Sequence, residues 1–165
     1  MNDNILWFDI ESSGLSVYRD RIITISFILN GKTKTFTMDP EVSIPEGASR
    51  VHGIYDKDVK GLQTFKDFAP QIMTILEASE TYSFYNGRQF DHAMLYIELL
   101  RCGYVMPERP IIDVYELVQS LFRSLKLKDI YRVLLGKNFN AHDSLQDTIA
   151  TRDLYYHIKN NFLNG

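Results

Sequence analysis

Cysteine, long apolar runs and an excess of positive charge are all missing or scarce in this sequence. The single cysteine, Cys102, excludes an internal disulfide and favours a reducing compartment. No apolar stretch approaches the roughly 20 residues that span a bilayer. The amino terminus lacks the basic region and cleavage site of a signal peptide. We therefore expect a cytoplasmic protein with no membrane partner.

Charge and chain organisation point to an ordinary globular protein. The net charge is −3, so bulk charge does not indicate nucleic-acid binding, and no particular lysine or arginine is assigned to phosphate. No repeat, low-complexity tract or Gly/Ser-rich linker divides the 165 residues. Hydrophobic residues make up 45% of the chain, which is enough for a sizeable core. We expect residues 1–165 to form a single domain.

The order of predicted elements indicates a mixed α/β sheet with flanking helices. Residues 5–11, 21–30, 32–38 and 81–86 have the composition of strands, and Asn30-Gly31 is typical of a hairpin turn. Residues 44–54 read as a loop or a short helix. Apolar spacing predicts helices over 64–79, 90–103, 111–122, 127–136 and 144–162. Three early strands followed by alternating elements favour a mixed sheet, with ligand groups at the strand ends.

Two carboxylates follow the apolar run of the first strand. Residues 5–15 read ILWFDIESSGL. Because side chains alternate along a strand, Asp9 and Glu11 face one side and Ile10 faces the other. Their repulsion should raise at least one pKa unless a divalent cation with oxygen ligands relieves it. The alternative is a solvated strand end with no further role.

Two further acids lie at the starts of predicted helices. Asp91, in YNGRQFDHAML, occupies a position where aspartate is common as a cap or dipole partner. In NAHDSLQDTIAT, Asp143 is a candidate N-cap with Gln146 three residues later, and Ser144 with Asp147 is the competing pair. Asp147 shares a helix face with Leu154 and therefore should point toward the sheet, where a carboxylate needs a partner.

Together these stretches resemble a known family. FDIESSGL, YNGRQFD and HDSLQD, in this order, resemble the three motifs of the DEDDh (DnaQ-like) 3′–5′ exonucleases, which include proofreading and RNA-trimming enzymes. SIPEGASRVHGI and IIDVYEL resemble other recurrent stretches, whereas SLKLKDIYRVLLGKNFN is a loose match. The resemblance implies a ribonuclease-H-like fold. It also implies a catalytic set of four acids and one histidine: Asp9, Glu11, Asp91, Asp147 and His142.

The resemblance implies hydrolysis assisted by two Mg²⁺ or Mn²⁺ ions. Asp9 would bridge both ions, Glu11 and Asp147 would complete one site, and Asp91 would hold the other. One ion would lower the pKa of the attacking water, and the second would stabilise charge on the leaving 3′ oxygen. The expected products are nucleoside 5′-monophosphates.

Two histidines compete for the role of general base. The resemblance assigns His142, which H-x-x-x-x-D links to a metal acid, to take the proton from the attacking water. An unperturbed pKa of about 6.5 suits that task near neutral pH. His52, in the VHGI segment, is the competitor, and there the resemblance indicates structure or substrate contact.

Substrate contacts are expected around the turn after the first strand. By resemblance, Leu15 would wedge against the terminal base, although it could instead cover the core. Backbone N–H groups of the turn would receive the 3′ hydroxyl or phosphate. Phe90 could stack on a base, or could pack within the fold. The expected substrate-binding residues are Ser12, Ser13, Gly14, Leu15, Asn86 and Phe90.

The expected partners are 3′ ends of single-stranded DNA or RNA. Whether a polymerase is a further partner is left open by the sequence. Contacts to the 2′ position, which separate RNA from DNA, are not legible in one sequence. Three other functions therefore stay open: an RNA-trimming exoribonuclease, a ribonuclease-H-like endonuclease, and a binding or polymerase-associated module with incidental catalysis. The presence of every acid of the pattern favours an active enzyme.

Overall fold

A five-stranded mixed sheet forms the centre of the structure, a computed structural model that describes residues 3–119, 122 and 126–163. The strand order is β3-β2-β1-β4-β5. The first three strands pair antiparallel, whereas β1, β4 and β5 run parallel. This arrangement confirms the predicted mixed α/β sheet. The strands are β1 (Ile5–Ser12), β2 (Ile22–Leu29), β3 (Lys32–Thr37), β4 (Thr81–Phe84) and β5 (Ile111–Asp113).

Helices cover both faces of the sheet. One core lies between the sheet and α3 and α4, and the other lies between the sheet and α5, α6 and α7. Within the described residues, no helix combines the length and apolarity that crossing a bilayer requires. The helices are α1 (Glu46–His52), α2 (Asp56–Val59), α3 (Phe65–Glu77), α4 (Asp91–Arg101), α5 (Val114–Gln119), α6 (Leu127–Leu135) and α7 (Ser144–Ile158).

Strand β1 is central because it is apolar on both faces. Leu6 and Phe8 pack into the core with α3 and α4, and Trp7 packs into the core with α7. Burying each such side chain stabilises the fold by about 1.5–3 kcal/mol. Asp9 and Glu11 continue the row of Trp7 by alternation, so the carboxyl end of β1 delivers both acids to the α7 side of the sheet.

The hairpin between β2 and β3 confirms the prediction made from Asn30-Gly31. Leu29 pairs with Lys32, so the loop contains two residues. Asn30 and Gly31 have φ values of 50° and 77°. Positive φ at both central positions is what a type I′ turn requires, and asparagine and glycine adopt it most readily.

One predicted helix was partly wrong, and another changes from α to π geometry near its end. Residues 111–113 form β5 rather than the start of a helix, because the β-branched Ile111 and Ile112 pair in parallel with β4. Among the described residues, the predicted helix is present over α5, and residues 120 and 121 of that prediction lie outside the described residues. At the carboxyl end, α7 stops at Ile158 and a π-helical turn follows over Lys159–Leu163. There the Asn161 side chain donates to the His157 carbonyl, which competes with regular helical bonding.

Candidate active site

Three carboxylates from two distant stretches of the chain meet at the carboxyl end of β1. Oxygen atoms of Asp9, Glu11 and Asp147 all lie within 4.8 Å of one another. The strand presents its two acids on the side where α7 packs, and Asp147 occupies the first turn of that helix. Asp91, the first residue of α4, lines the same cleft of about 230 Å³, as does His142.

Hydrogen bonds from backbone N–H groups fix the two helix-borne carboxylates. The Ile10 backbone N–H donates to Asp91 Oδ1 at 3.1 Å, which ties the start of α4 to β1. The His142 backbone N–H donates to Asp147 Oδ2 at 2.8 Å. Asp143 caps α7 by accepting from the backbone of Gln146 at 3.0 Å, as its position in the sequence predicts. The acids are therefore held in place by backbone groups of neighbouring elements.

Burial and mutual repulsion raise the pKa of all four carboxyls. For Asp9, burial is the largest cause, followed by the charges of Asp91 and Asp147, and its pKa lies well above the ordinary value. Burial, then Asp147 and Asp91, raise the pKa of Glu11 to about 8. Burial likewise raises the pKa of Asp91 and of Asp147 to about 7, although backbone hydrogen bonds oppose the shift. The four charges are thus poorly compensated by the protein itself.

The donor set fits a hard divalent cation. All the converging ligand atoms are carboxylate oxygens, which Mg²⁺ and Mn²⁺ prefer. Within the described part of the chain, no lysine or arginine forms an ion pair with Asp9, Glu11, Asp91 or Asp147. Cations bound between these residues would remove the repulsion that raises their pKa values.

The two competing histidines face a common cavity. His142 is exposed, with φ of 68°, and lines both the acidic cleft and a polar cavity of about 490 Å³ that His52 also lines. His52 is half-buried, and its Nδ1 accepts from the Ile54 backbone at 3.2 Å. Its Nε2 is buried without a well-formed hydrogen bond. The backbone of Ser12 nevertheless lies close enough to affect the pKa of the ring. Burial lowers the pKa of His52, and the charge of His142 adds to that effect.

A third cavity, largely apolar, adjoins the acidic cleft. Its volume is about 460 Å³, and residues 10–15, parts of α1 and Phe90 line it. Leu15 is 87% exposed at its edge, so it does not cover the core. Phe90 lines this cavity and the acidic cleft while also packing on the core. Asn86 lines neither of these two spaces, and its side chain is exposed.

A further cavity lies away from this chemistry. Its volume is about 580 Å³, and it sits at the amino end of β1 between the β2–β3 hairpin and the end of α7. Ile5, Trp7 and Ile28 are among its lining residues, and polar groups such as Arg152 and Lys159 also line it. None of the predicted site residues reaches it.

Sequence reasoning gave no supporting role to Asp113 or Gly87, two residues that hold the second acidic motif in place. Asp113, at the end of β5, accepts from the backbone of Asn86 at 2.6 Å and of Tyr115 at 3.1 Å, which fixes the loop before α4. A Cβ on Gly87 would lie 2.6 Å from Asp91 Oδ2, so a larger residue at this position would displace its neighbours. The IID segment carried a signal for Asp113, because two β-branched residues before an acid indicate a strand end.

Known proteins with similar sequences carry this segment as a small part of a longer chain. The 3′-5′ exonuclease DinG of Bacillus subtilis is 26% identical over 159 residues, which cover 91% of this chain and 17% of DinG. A PolC-type DNA polymerase III of Clostridium perfringens is 26% identical over 162 residues, which cover 93% of this chain and 11% of the polymerase.

A solved structure and a family model complete the comparison. Escherichia coli exonuclease I, in a zinc-bound complex with single-stranded DNA, superimposes with a TM-score of 0.87 at 18% identity, over 96% of this chain and 41% of exonuclease I. This likeness shows that the sheet has the ribonuclease-H-like fold, as the resemblance implied. The model of the RNase_T exonuclease family matches residues 6–155. The chain therefore belongs to the RNase_T exonuclease family, within the DEDDh (DnaQ-like) superfamily.

Proposed function

We propose that this chain is a metal-dependent 3′–5′ exonuclease, a single domain that hydrolyses phosphodiester bonds at the 3′ end of single-stranded DNA. The observation that carries the proposal is the convergence of Asp9, Glu11 and Asp147 within 4.8 Å, beside an apolar cavity of about 460 Å³. Similarity to DinG supports the direction of cleavage. The DNA-bound form of exonuclease I favours DNA over RNA as the substrate.

The proposed cofactor is a pair of Mg²⁺ or Mn²⁺ ions. Asp9, Glu11 and Asp147 would hold them, together with Asp91, which lines the same cleft. Such ions, when bound, lower the pKa of coordinated water and stabilise the charge on a leaving oxygen. The raised pKa values of the four carboxyls support this assignment, because they mark negative charge that the protein leaves uncompensated.

His142 is the proposed general base. Its side chain is exposed at the acidic cleft, where a water molecule can reach it. Its backbone N–H is bonded to Asp147, so the imidazole is anchored next to a proposed metal ligand. In this role the imidazole accepts the proton that the attacking water loses. His52 is the weaker candidate, because its Nδ1 is already used by the Ile54 backbone.

The turn after β1 is the proposed site of the terminal nucleotide. Ser12, Ser13 and Gly14 line the apolar cavity, and backbone groups of this turn would bind the 3′ hydroxyl or phosphate; the Ser13 N–H itself already donates to the Arg21 carbonyl at 2.9 Å. The exposed Leu15 would pack against the terminal base. Phe90 reaches both the cavity and the acidic cleft, and would contact the same nucleotide. Asn86, also proposed as a substrate contact, would act from the rim, since its side chain is exposed.

Similarity to PolC-type polymerases favours a second, narrower role in proofreading. The matched segments of two such polymerases cover 11% of each, so a chain like this one can form part of a replicative polymerase. In that role the enzyme would remove mispaired 3′ termini faster than paired ones. Equal rates on a primer with a mismatched and a matched 3′ end would remove this second candidate.

The test of the main proposal uses one oligonucleotide labelled at its 5′ end, supplied as DNA and as RNA. With Mg²⁺ we expect a ladder that shortens from the 3′ end, mononucleotide 5′-phosphates as products, and no cleavage of a circular single strand. Chelator and the variant D9N should each abolish the ladder. Cleavage of the circle would indicate an endonuclease, and activity that survives chelator would overturn the metal assignment.

A further inference from the structure

A buried carboxylate lies beneath the loop that carries Leu15. Glu98 of α4 is 0% exposed, and its Oε1 lies 2.7 Å from Arg21 Nε and 3.2 Å from Arg101 Nη1. Within the described residues, its Oε2 is buried with no hydrogen-bond partner. A fully buried, incompletely bonded acid is costly to fold, and its two arginine partners compensate only part of that cost. This arrangement needs a reason other than stability.

The two arginines connect Glu98 to the backbone of the loop. Arg101 Nη2 donates to the Tyr18 carbonyl at 2.5 Å, and Nη1 approaches the Asp20 carbonyl at 3.5 Å. Arg21, which ends the loop, donates directly to Glu98. One acid therefore pairs with the arginine that ends the loop and with Arg101, whose planar fork reaches the carbonyl groups of Tyr18 and Asp20.

Inside the loop, Asp20 braces the turn that follows Ser12. It accepts from the Ser16 backbone N–H at 2.8 Å and from Ser13 Oγ at 3.2 Å. A Cβ on Gly14 would lie 2.6 Å from the Asp20 carboxylate, so the turn and Asp20 are in close contact. Movement of Asp20 would therefore move the whole turn.

The side chains at the tip of the loop have little packing of their own. Leu15 is 87% exposed and Tyr18 is 75% exposed, so the backbone alone determines where they lie. Helix α4 carries Asp91 at its first turn and both Glu98 and Arg101 near its last. The same rigid helix thus sets the position of the acidic cleft and that of the loop.

We propose that Glu98 is a positioning residue: through Arg21 and Arg101 it holds residues 13–21 in the shape that presents Leu15 and the turn backbone to the 3′-terminal nucleotide. This inference rests on the proposed function of the turn. It assigns to Arg101 the role of a clamp on backbone carbonyl groups rather than that of a phosphate ligand.

The consequence is a change in KM rather than in kcat. Contacts to the terminal base are the same in the bound substrate and in the transition state, so loosening them weakens both equally. For a DNA oligonucleotide we expect E98Q and R101M each to raise KM about tenfold, with kcat within about twofold of wild type. Bis(4-nitrophenyl) phosphate has no nucleobase for Leu15 and the turn to contact, so its rate of hydrolysis should be unchanged.

Arg101→Lys separates a clamp from a simple positive charge. Lysine keeps the charge but cannot reproduce the fork, so R101K should behave like R101M. The slope of log KM against log salt should stay at the wild-type value, whereas loss of a phosphate contact would reduce it by about 0.7. The matched control is R132M, which removes an exposed arginine paired with Asp129 on α6.

Three results would overturn the inference: a normal KM in both E98Q and R101M, full rescue by R101K, or an equal loss on the oligonucleotide and on bis(4-nitrophenyl) phosphate. If E98Q does not unfold cooperatively on heating, the KM of R101M alone decides the test. A wild-type protein that hydrolyses no oligonucleotide would instead refute the proposed function. In that event the affinity for thymidine 5′-monophosphate in Mn²⁺ tests Glu98 separately, with about tenfold weaker binding expected in both variants.

Discussion

Asp147 takes its position from the few residues before it. The loop reverses at His142, whose φ of 68° turns its backbone N–H toward the Asp147 carboxylate. Asp143 then caps the helix, and the Ser144 hydroxyl lies 2.8 Å from that of Ser26 on β2. The sequence HDSLQD therefore encodes a reversal, a cap and an anchor, which together aim one acid at the end of β1.

We expect D147N to report the effect of the negative charge of Asp147, because the substitution leaves the shape of the side chain almost unchanged. Asparagine keeps an oxygen for the His142 N–H but removes the negative charge. Losing several kcal/mol of charge stabilisation should lower kcat/KM by about 10³-fold or more. The same change relieves repulsion with Asp9 and Glu11, so the Tm in chelator should rise. Calorimetry and oligonucleotide assays measure both, and a variant that is active, or less stable without metal, would contradict the assignment.

For the general base we expect H142N to slow hydrolysis by about 10²–10⁴-fold in kcat. Asparagine tolerates the positive φ at this position better than alanine does, so the loss reports the imidazole rather than the backbone. H52N is the matched comparison, and its effect should be smaller. Both rates are measured at saturating Mg²⁺. If H52N proves the more damaging substitution, His52 and not His142 acts as the base.

At the scale of elements, the strands and helices differ in how well the sequence predicts them. The hairpin of β2 and β3 follows from local turn chemistry, and the start of α7 follows from its N-cap, Asp143. Strand β5 was not predicted, because it has only three residues. Its extended conformation depends on pairing with β4, and local sequence carries no information about that pairing. Its end nevertheless matters for the site, since Asp113 fixes the loop before α4.

That loop yields a prediction about Gly87. In G87A the new methyl group would lie 2.6 Å from Asp91 Oδ2 and 3.0 Å from the Phe84 ring, so one of them must move. The carboxylate is the far end of a flexible side chain, whereas the Phe84 ring is enclosed in the core, so the carboxylate is the group that yields. Displacing a metal-binding acid by about 1 Å should cost about 10² in kcat. Isothermal titration with Mn²⁺ should show weaker binding, while unchanged activity and binding would show that the loop adapts.

At the scale of the whole molecule, the sequence identifies the acidic residues of the site but not how they are arranged in space. The three acidic motifs could be recognised because each is a local pattern with a defined order along the chain. The clamp of Arg101 on Tyr18 spans 83 residues and has no local signature. Glu98, inside an amphipathic helix, reads as an ordinary surface residue until packing shows that it is buried. Such long-range contacts depend on the fold, so sequence patterns alone did not reveal them.

Without metal, the free energy of unfolding of the whole protein should fall as the pH rises, and bound metal should oppose that loss. A carboxyl whose pKa is higher in the folded than in the unfolded state stabilises the fold only while it is protonated. For Glu11 that contribution is fully present below pH 4.5 and is lost as the pH rises through about 8, and Asp91 and Asp147 follow with pKa values of about 7. Each such group lowers the free energy of unfolding by up to about 1.4 kcal/mol per pH unit.

We therefore expect the Tm in chelator to fall between pH 5 and pH 8, by about 2–4 °C for each kcal/mol lost. Mg²⁺ binds the ionised carboxylates, so the Tm difference between Mg²⁺ and chelator should widen over the same range. Taking that difference cancels the contribution of histidines such as His92, whose lowered pKa acts in the opposite direction. In D147N the widening should shrink. A Tm difference that stays constant from pH 5 to pH 8 would mean that these acids do not form a shared cation site.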